Sequence, residues 1–248
     1  MSITDKINQL TTIRGQMRTK LVDKGVAAAA THNFSDFVAD LDEISGNTEK
    51  LPDAYQEVEY IRMTGTQFIR TDLYVQPTDI INAEISLNSL DQQCVYCART
   101  STQSSDQETL FYINSSHTFR YDFSTGRVNS GTVQTTGTRI KLTQASNNSF
   151  KDDVRVGSSN FANFTPQQPL HIGVSFVMNG SSRTYSNQAK ADFYPLSVWN
   201  YNGTVCRAKY KPCYRKADNV AGMYDYINDI FYTNAGTGND FGVGPNVT

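Results

Sequence analysis

The 248-residue sequence has no excess charge of one sign and no long apolar run. Its 22 basic and 24 acidic residues are interspersed and leave a formal net charge of −2. Because phosphate binding needs clustered Lys and Arg, we do not expect nucleic acid as a partner. No stretch approaches the roughly 20 apolar residues that span a bilayer, so we expect no membrane insertion. The start, MSITDKINQL, lacks the pattern of a signal peptide, which predicts synthesis and assembly in a cytoplasm.

Residues that bind metals or act as nucleophiles are also scarce. Cys94 and Cys97 form a C-x-x-C, but they lie in an alternating strand pattern, where residues three apart face opposite sides. Cys206 and Cys213 lack the knuckle spacing of a zinc ribbon, so buried free thiols are the simplest interpretation. The three histidines occur outside H-E-x-x-H, and no G-x-S-x-G elbow is present. The sequence therefore predicts neither a metal nor a cofactor.

The first part of the chain has a helical rather than an alternating pattern. Apolar residues recur at steps of three and four with one polar interruption, which predicts a helix with a heptad seam. The seam consists of Ile7, Leu10, Arg14, Met17 and Leu21. A second short helix is predicted from Phe34 to Ile44. Two such helices bury too little apolar surface alone, so residues 1–46 form either an oligomerisation module, expected to be trimeric, or an intramolecular hairpin.

Beyond a linker at 47–54, the pattern changes to short alternating segments. These segments are rich in aromatic and β-branched residues and are separated by Gly, Asn, Asp and Ser. Many short strands without intervening helices predict an antiparallel β-sandwich or jelly roll over 55–248. Within it, Asn202-Gly203 suits a two-residue type I′ turn.

The run CYRKADNVAGMYDYINDIFYTNAGTG, residues 213–238, concentrates tyrosines and acidic residues as a binding site would. It also reads as two strands joined by the turn at 227–229. In that hairpin we expect Tyr224 and Phe231 to face inward and Asp225 to be exposed. The structural interpretation is therefore favoured over a binding site.

Two segments resemble a known group of proteins. They are LPDAYQEVEYIRMTGTQFIRTD (51–72) and PCYRKADNVAGMYDYINDIFYTNAGTG (212–238). Together they resemble the paired end signatures of concanavalin A-like lectin/glucanase jelly-roll domains in virion proteins of bacteriophages and prophages. The motifs LVDKGV and FSDFVADLDEI also resemble N-terminal attachment modules of phage tail, baseplate or head-fibre proteins. The resemblance implies a lectin-like fold in a virion and implies no particular reaction.

Domains of this fold include both binders and hydrolases, so function must be argued from sites. A glucanase needs two carboxylates close together on one strand face. Glu57 and Glu59 are the same-face pair near an expected strand, but the retaining-glucanase pattern E-x-D-x-x-E is absent. In the phage group this pair belongs to the first-strand signature. We therefore expect a protein without enzymatic activity.

Carbohydrate sites combine an aromatic platform with amides on loops of a rigid scaffold. The segment VWNYNGT supplies this chemistry beside a turn, with Trp199, Asn200, Tyr201 and Asn202 as the candidate glycan-binding residues. The segment YINSSHTFRYDF offers a second set, and either could equally be an ordinary strand end. Three functions stay open: adhesion to a bacterial-surface glycan, virion decoration that binds only other virion proteins, and, least favoured, glycan hydrolysis.

Overall fold

The computed structural model describes residues 11–16, 18–19, 50–100, 108–160, 163–179 and 182–248. The chain divides into two units, Met1–Lys50 and Leu51–Thr248. In the first, residues 11–16 and 18–19 are helical, and the side chain of Arg14 is exposed. The other predicted seam residues, Ile7, Leu10, Met17 and Leu21, lie outside the described residues, as do the second helix and the predicted division at 46/47. None of the described helical segments could span a membrane.

The second unit consists of antiparallel strands, which confirms the prediction of a mainly β protein. The larger sheet has eleven strands. They are β1 (Tyr55–Glu57), β2 (Ile61–Thr64), β4 (Ile80–Leu87), β9 (Arg139–Ala145), β10 (Asn148–Lys151), β11 (Val154–Ser158), β15 (Lys190–Trp199), β16 (Cys206–Arg215), β17 (Ala221–Asp225), β18 (Ile230–Tyr232) and β19 (Gly242–Val243). Its main order is β11-β10-β9-β4-β15-β16-β17-β18; β1 pairs with β16, and β2 pairs with β15 and β19.

A second sheet has six strands in the order β3-β12-β5-β6-β7-β8. They are β3 (Ile69–Arg70), β5 (Gln93–Arg99), β6 (Glu108–Ile113), β7 (Thr118–Ser124), β8 (Gly126–Val133) and β12 (His171–Ile172). The strands β13 (Ser175–Asn179) and β14 (Ser182–Ser186) form a separate two-stranded hairpin.

The main core combines side chains of both large sheets. Ile85 and Phe193 of the eleven-stranded sheet belong to the same buried cluster as Phe111 and Ile172 of the six-stranded sheet. In strand β9, buried and partly exposed residues alternate, as expected for a strand with one face on the core. The partly exposed residues of the eleven-stranded sheet therefore lie on its other, outward face.

The six-stranded sheet also buries part of its other face. Leu110 and Tyr112 pack there against Phe176 and Met178 of the β13–β14 hairpin. Cys94 and Cys97 lie in this same cluster, so the expectation that they face opposite sides is wrong. A register shift between Cys94 and Tyr96 is the reason, because a β-bulge adds a residue and reverses the alternation.

The run 213–238 forms the predicted hairpin, with Tyr224 opposite Phe231. The expectation that Tyr224 and Phe231 face inward is wrong: they pack outside the main core, in a small cluster that includes Leu51 and Cys213, whereas Met223 faces the core itself. Asp225 is only 1% exposed, which contradicts the expectation of an exposed carboxylate.

Hydrogen bonds explain the burial of Asp225. Its Oδ1 accepts from the backbone N–H of Lys209 at 3.2 Å and of Ile227 at 3.1 Å. Its Oδ2 accepts from Nδ2 of Asn228 at 2.7 Å. Asp225 therefore organises the turn from inside, which the period-two pattern could not reveal.

Candidate functional site

The predicted glycan-binding residues lie at the end of β15 and in the loop 200–205 that leads to β16. The backbone N–H of Gly203 donates to the carbonyl of Asn200 at 2.9 Å, and that of Asn200 donates to Val205 at 2.9 Å. Gly203 has a φ of 69°, but Asn202 does not have a positive φ. The predicted two-residue type I′ turn is therefore wrong, since that turn needs a positive φ at both positions.

Two of the four candidate residues hold this loop together. Asn200 Oδ1 accepts from the backbone N–H of Thr204 at 2.9 Å and of Val205 at 3.0 Å. Asn202 Oδ1 accepts from the Thr204 hydroxyl at 2.7 Å. These side chains accept from backbone N–H groups of the loop that have no backbone acceptor in the part of the chain that the structure describes. The loop geometry is therefore largely fixed before any ligand arrives.

Tyr201, at the tip of the loop, is 73% exposed. It lines a depression of about 540 Å³ that also involves the turn between β9 and β10 and the start of β4. The lining residues are Thr78, Ile80, Ala145, Ser146, Asn147, Asn148 and Tyr201. The depression thus combines an exposed phenol, two aliphatic side chains, hydroxyls and amides, with no charged side chain among these residues.

Long-range strand pairing assembles this depression. Ile80 is opposite Ala145 on one side and opposite Trp199 on the other. The turn at 146–147 is fixed by Ser146, which has a φ of 56°, and by Asn147 Nδ2, which donates to the Ser159 carbonyl at 2.6 Å. The segment ASNNSF was not among the residues predicted from the sequence, although its adjacent asparagines at a turn between two strands were an available signal.

A partly buried ion pair lies next to the residues that line the depression. Arg207 pairs with Asp79, which also accepts from the backbone N–H of Gln76 at 2.6 Å through Oδ2. The carbonyl of Asp79 accepts from the Ser146 N–H at 3.3 Å. Burial raises the pKa of Asp79, against the lowering effects of the hydrogen bond from the Gln76 N–H and of Arg207. Asp79 therefore connects the lining segments at 78–80 and 145–148 through its carbonyl, while its carboxylate is held by Arg207.

Trp199 lies beside the depression but does not line it. Its indole is half-buried on the outward face of the eleven-stranded sheet, and Nε1 donates to the Ser197 hydroxyl at 3.0 Å.

The second set of residues, in YINSSHTFRYDF, is not brought together. Tyr121 faces the main core, whereas Asn114 organises the β6–β7 turn by accepting from the N–H of Ser116 at 2.9 Å and of Thr118 at 3.1 Å.

The carboxylates considered for hydrolysis have other partners. Lys211 Nζ lies 3.1 Å from Glu57 Oε2, and Glu59 is exposed. Elsewhere, Glu108 pairs with Arg99 at 2.7 Å and Asp122 pairs with Arg120 at 2.7 Å. Burial raises the pKa of Glu108 to about 7, and a hydrogen bond with Asp122 adds to the rise.

The Glu108 and Asp122 side chains are only 10% and 4% exposed. They form a closed ionic network on the sheet, without the space between carboxyl groups that a glycosidase needs for its substrate. No group of three or more metal-binding side chains occurs among the described residues.

Comparisons with known proteins give information about the fold. No protein-family model and no curated protein matches the sequence. A solved structure that matches is the native heptameric SAP-like pentraxin from Limulus polyphemus, with 12% identity and a TM-score of 0.50. The match covers 78% of this chain and 98% of the pentraxin chain. At this identity the likeness concerns the fold alone, an antiparallel lectin-like jelly roll.

Proposed function

We propose that this chain is a non-enzymatic bacteriophage virion protein that displays its jelly roll toward the bacterial surface and binds a glycan there. The virion setting rests on the end signatures at 51–72 and 212–238 and on the attachment-like motifs of the first fifty residues. In this proposal the protein is assembled in the host cytoplasm. It forms a homo-oligomer, with a trimer as the simplest case, and its N-terminal helices contact other virion proteins. The matching pentraxin is itself a homo-oligomer, which is compatible with self-association.

The observation that carries glycan binding is the depression beside Tyr201. Sugar rings have apolar faces that stack on aromatic rings, and their hydroxyls need donors and acceptors at the edge of that contact. Tyr201 supplies the exposed ring, Ile80 and Ala145 supply an apolar wall, and Asn147 and Asn148 supply amides. The hydrogen bonds inside the loop reduce the ordering cost of binding.

The test is binding of the full chain to an array of bacterial surface polysaccharides, followed by titration of a polysaccharide that binds. We expect single-site dissociation constants between about 1 mM and 1 μM, with avidity in an oligomer. Tyr201→Ala should weaken binding by about 10-fold or more. Tyr74→Ala is the matched control, because Tyr74 is 47% exposed and does not line the depression.

Each outcome discriminates between the open functions. Undiminished binding by folded Tyr201→Ala would place the glycan elsewhere. A folded wild type that binds no polysaccharide on the array would contradict adhesion and favour a decoration protein that binds only other virion proteins. Release of reducing ends from a bound polysaccharide would contradict the non-enzymatic assignment.

A further inference from the structure

The depression opens directly onto the outward face of the eleven-stranded sheet. Ile80 lines the depression and is opposite Trp199 in the sheet, so the two regions share a boundary. One step further along the strands, Asn82 is opposite both Ser197 and Thr143. The same face then continues to Tyr194 and to Tyr60, whose rings are in contact.

Three aromatic side chains are spaced along this face, and all are half-buried. Trp199 stands beside the depression, and Tyr194 lies five residues earlier on β15, roughly 15 Å away at the rise of an extended strand. The rings of Tyr194 and Tyr60 have centroids 5.4 Å apart. The Arg139 guanidinium lies 4.0 Å from the Tyr194 centroid, which places that ring on the face of Glu84, the ion-pair partner of Arg139.

Polar groups fill the interval between the rings. Asn82 Oδ1 accepts from the Thr143 hydroxyl at 2.8 Å. Within the described part of the chain, the two amide hydrogens of Asn82 have no acceptor of their own, so they are available to a ligand. Ser197 accepts from Trp199 Nε1 and keeps its hydroxyl hydrogen as a donor. Aromatic rings separated by amides and hydroxyls match the alternation of apolar faces and hydroxyls along a glycan chain.

The guanidinium groups nearest to the tyrosines are already paired. Arg62 contacts Asp192 through two hydrogen bonds of 2.6 and 2.8 Å, and Arg139 forms an ion pair with Glu84. An anionic ligand would have to compete with these carboxylates for the guanidinium groups. The pairing, together with the exposed carboxylate of Glu59 next to Tyr60, therefore disfavours an anionic ligand on this part of the face.

We infer that the outward face of β15 and its neighbours is a platform for an extended, uncharged glycan chain, with Trp199, Tyr194 and Tyr60 as stacking positions and the Tyr201 depression at one end. This inference rests on the proposed glycan binding and adds the length and the charge class of the ligand. It predicts recognition of an internal stretch of polysaccharide rather than of a single terminal sugar.

The experiment uses a polysaccharide that binds on the array, cleaved into fragments from disaccharide to octasaccharide and titrated into the full chain. Affinity for wild type should rise with fragment length until the platform is filled. Tyr194→Ala should weaken the affinity for the longest fragments by about 3- to 10-fold and should not change the affinity for the disaccharide. Tyr194→Phe, which keeps the ring, is the matched control and should bind like wild type. Asn82→Ala provides a second variant if Tyr194→Ala does not fold.

The two proposals fail in different ways. Binding that depends on Tyr201 but not on fragment length, Tyr194 or Asn82 would overturn the platform and leave adhesion intact. Binding of charged fragments alone, with steep salt dependence, would overturn the uncharged ligand class. A change of oligomeric state in Tyr194→Ala without glycan would show that the face is a contact between copies of this chain, which also overturns the platform. Loss of binding by every polysaccharide would overturn both proposals.

Discussion

The loop 200–205 and the β17–β18 hairpin have similar compositions and opposite roles. Both join neighbouring strands and both carry tyrosine beside asparagine or aspartate. In the hairpin the polar group points inward, and Asp225 is saturated by hydrogen bonds from the protein. In the loop the asparagines satisfy the backbone locally and leave Tyr201 in solvent. The direction of the hydrogen bonds, more than the residue types, separates a structural turn from a candidate binding loop.

The largest expected effect follows from removing the buried carboxylate of the hairpin. Asp225→Ala should lower the free energy of unfolding by about 3 kcal/mol, since it leaves several buried N–H groups without their acceptor. Asp218→Ala is the matched control, because Asp218 is an exposed aspartate paired with Arg215 at 2.7 Å, and this substitution should leave stability nearly unchanged. Urea denaturation measures both. Equal effects of the two substitutions would show that the buried hydrogen bonds of Asp225 do not stabilise the hairpin.

A second prediction extends the contrast to ionisation, using two buried groups on the outer side of the six-stranded sheet. Burial lowers the pKa of His171 to about 4, and the nearby Arg183 and Arg70 contribute, although a hydrogen bond with the Pro169 carbonyl opposes the shift. The unfolded chain therefore binds the proton first. The contribution of neutral His171 to the free energy of unfolding is complete above about pH 6.5. It is lost as pH falls toward 4, by up to about 3 kcal/mol.

Glu108 has the opposite sign. Its folded pKa of about 7 lies above the ordinary value, so its contribution is complete below about pH 4.5 and is lost as pH rises through 7. Between about pH 4.5 and 6.5, His171 makes the free energy of unfolding rise with pH and Glu108 makes it fall, so the two effects should largely cancel in wild type. His171→Phe should become less stable as pH rises, and Glu108→Gln should become more stable. Urea melts across this range check both, and parallel pH profiles in the two variants would contradict the assignment.

The smallest expected stability effect belongs to the loop. Asn200→Ala should lower the free energy of unfolding by about 1 kcal/mol, because two backbone N–H groups of the loop lose their acceptor but can turn to water. The same substitution should weaken glycan binding, since Tyr201 would no longer be held in one place. Tyr201→Ala, measured beside it, should change stability by less than about 0.5 kcal/mol. Greater stability loss in Tyr201→Ala than in Asn200→Ala would show that Tyr201 is part of the packing.

The parts of the fold that sequence reasoning predicted are local. Alternation over short segments identified the β-sandwich, and the turn residues after Asp225 identified the hairpin. The prediction for Asp225 was wrong because alternation assigns residues to two faces but does not say which face meets the core. Asp225 lies two residues from the core-facing Met223, whereas Tyr224 packs on the outer side with Leu51, which comes from a segment predicted to be a linker.

The candidate site was predictable only in part for a related reason. Tyr201 could be found beside its turn, whereas Asn147 and Asn148 join it through the pairing of β9 with β4 and of β4 with β15. Such register is set by contacts between residues far apart in the chain, and short motifs carry no record of it. The bulge after Cys94 is similar, since a single extra residue reverses the side-chain direction without any mark in the composition.

That bulge has a kinetic consequence. By turning both Cys94 and Cys97 toward the β13–β14 hairpin, it places two thiols beneath one small lid, where burial raises the pKa of Cys97 to about 12. A thiol in this state does not react with alkylating reagents until the lid lifts and the sulfur meets water as a thiolate. The rate at which Cys94 and Cys97 are alkylated under native conditions therefore reports how often the β13–β14 hairpin opens. Alkylation of these two thiols can be used to measure the local unfolding of this one hairpin.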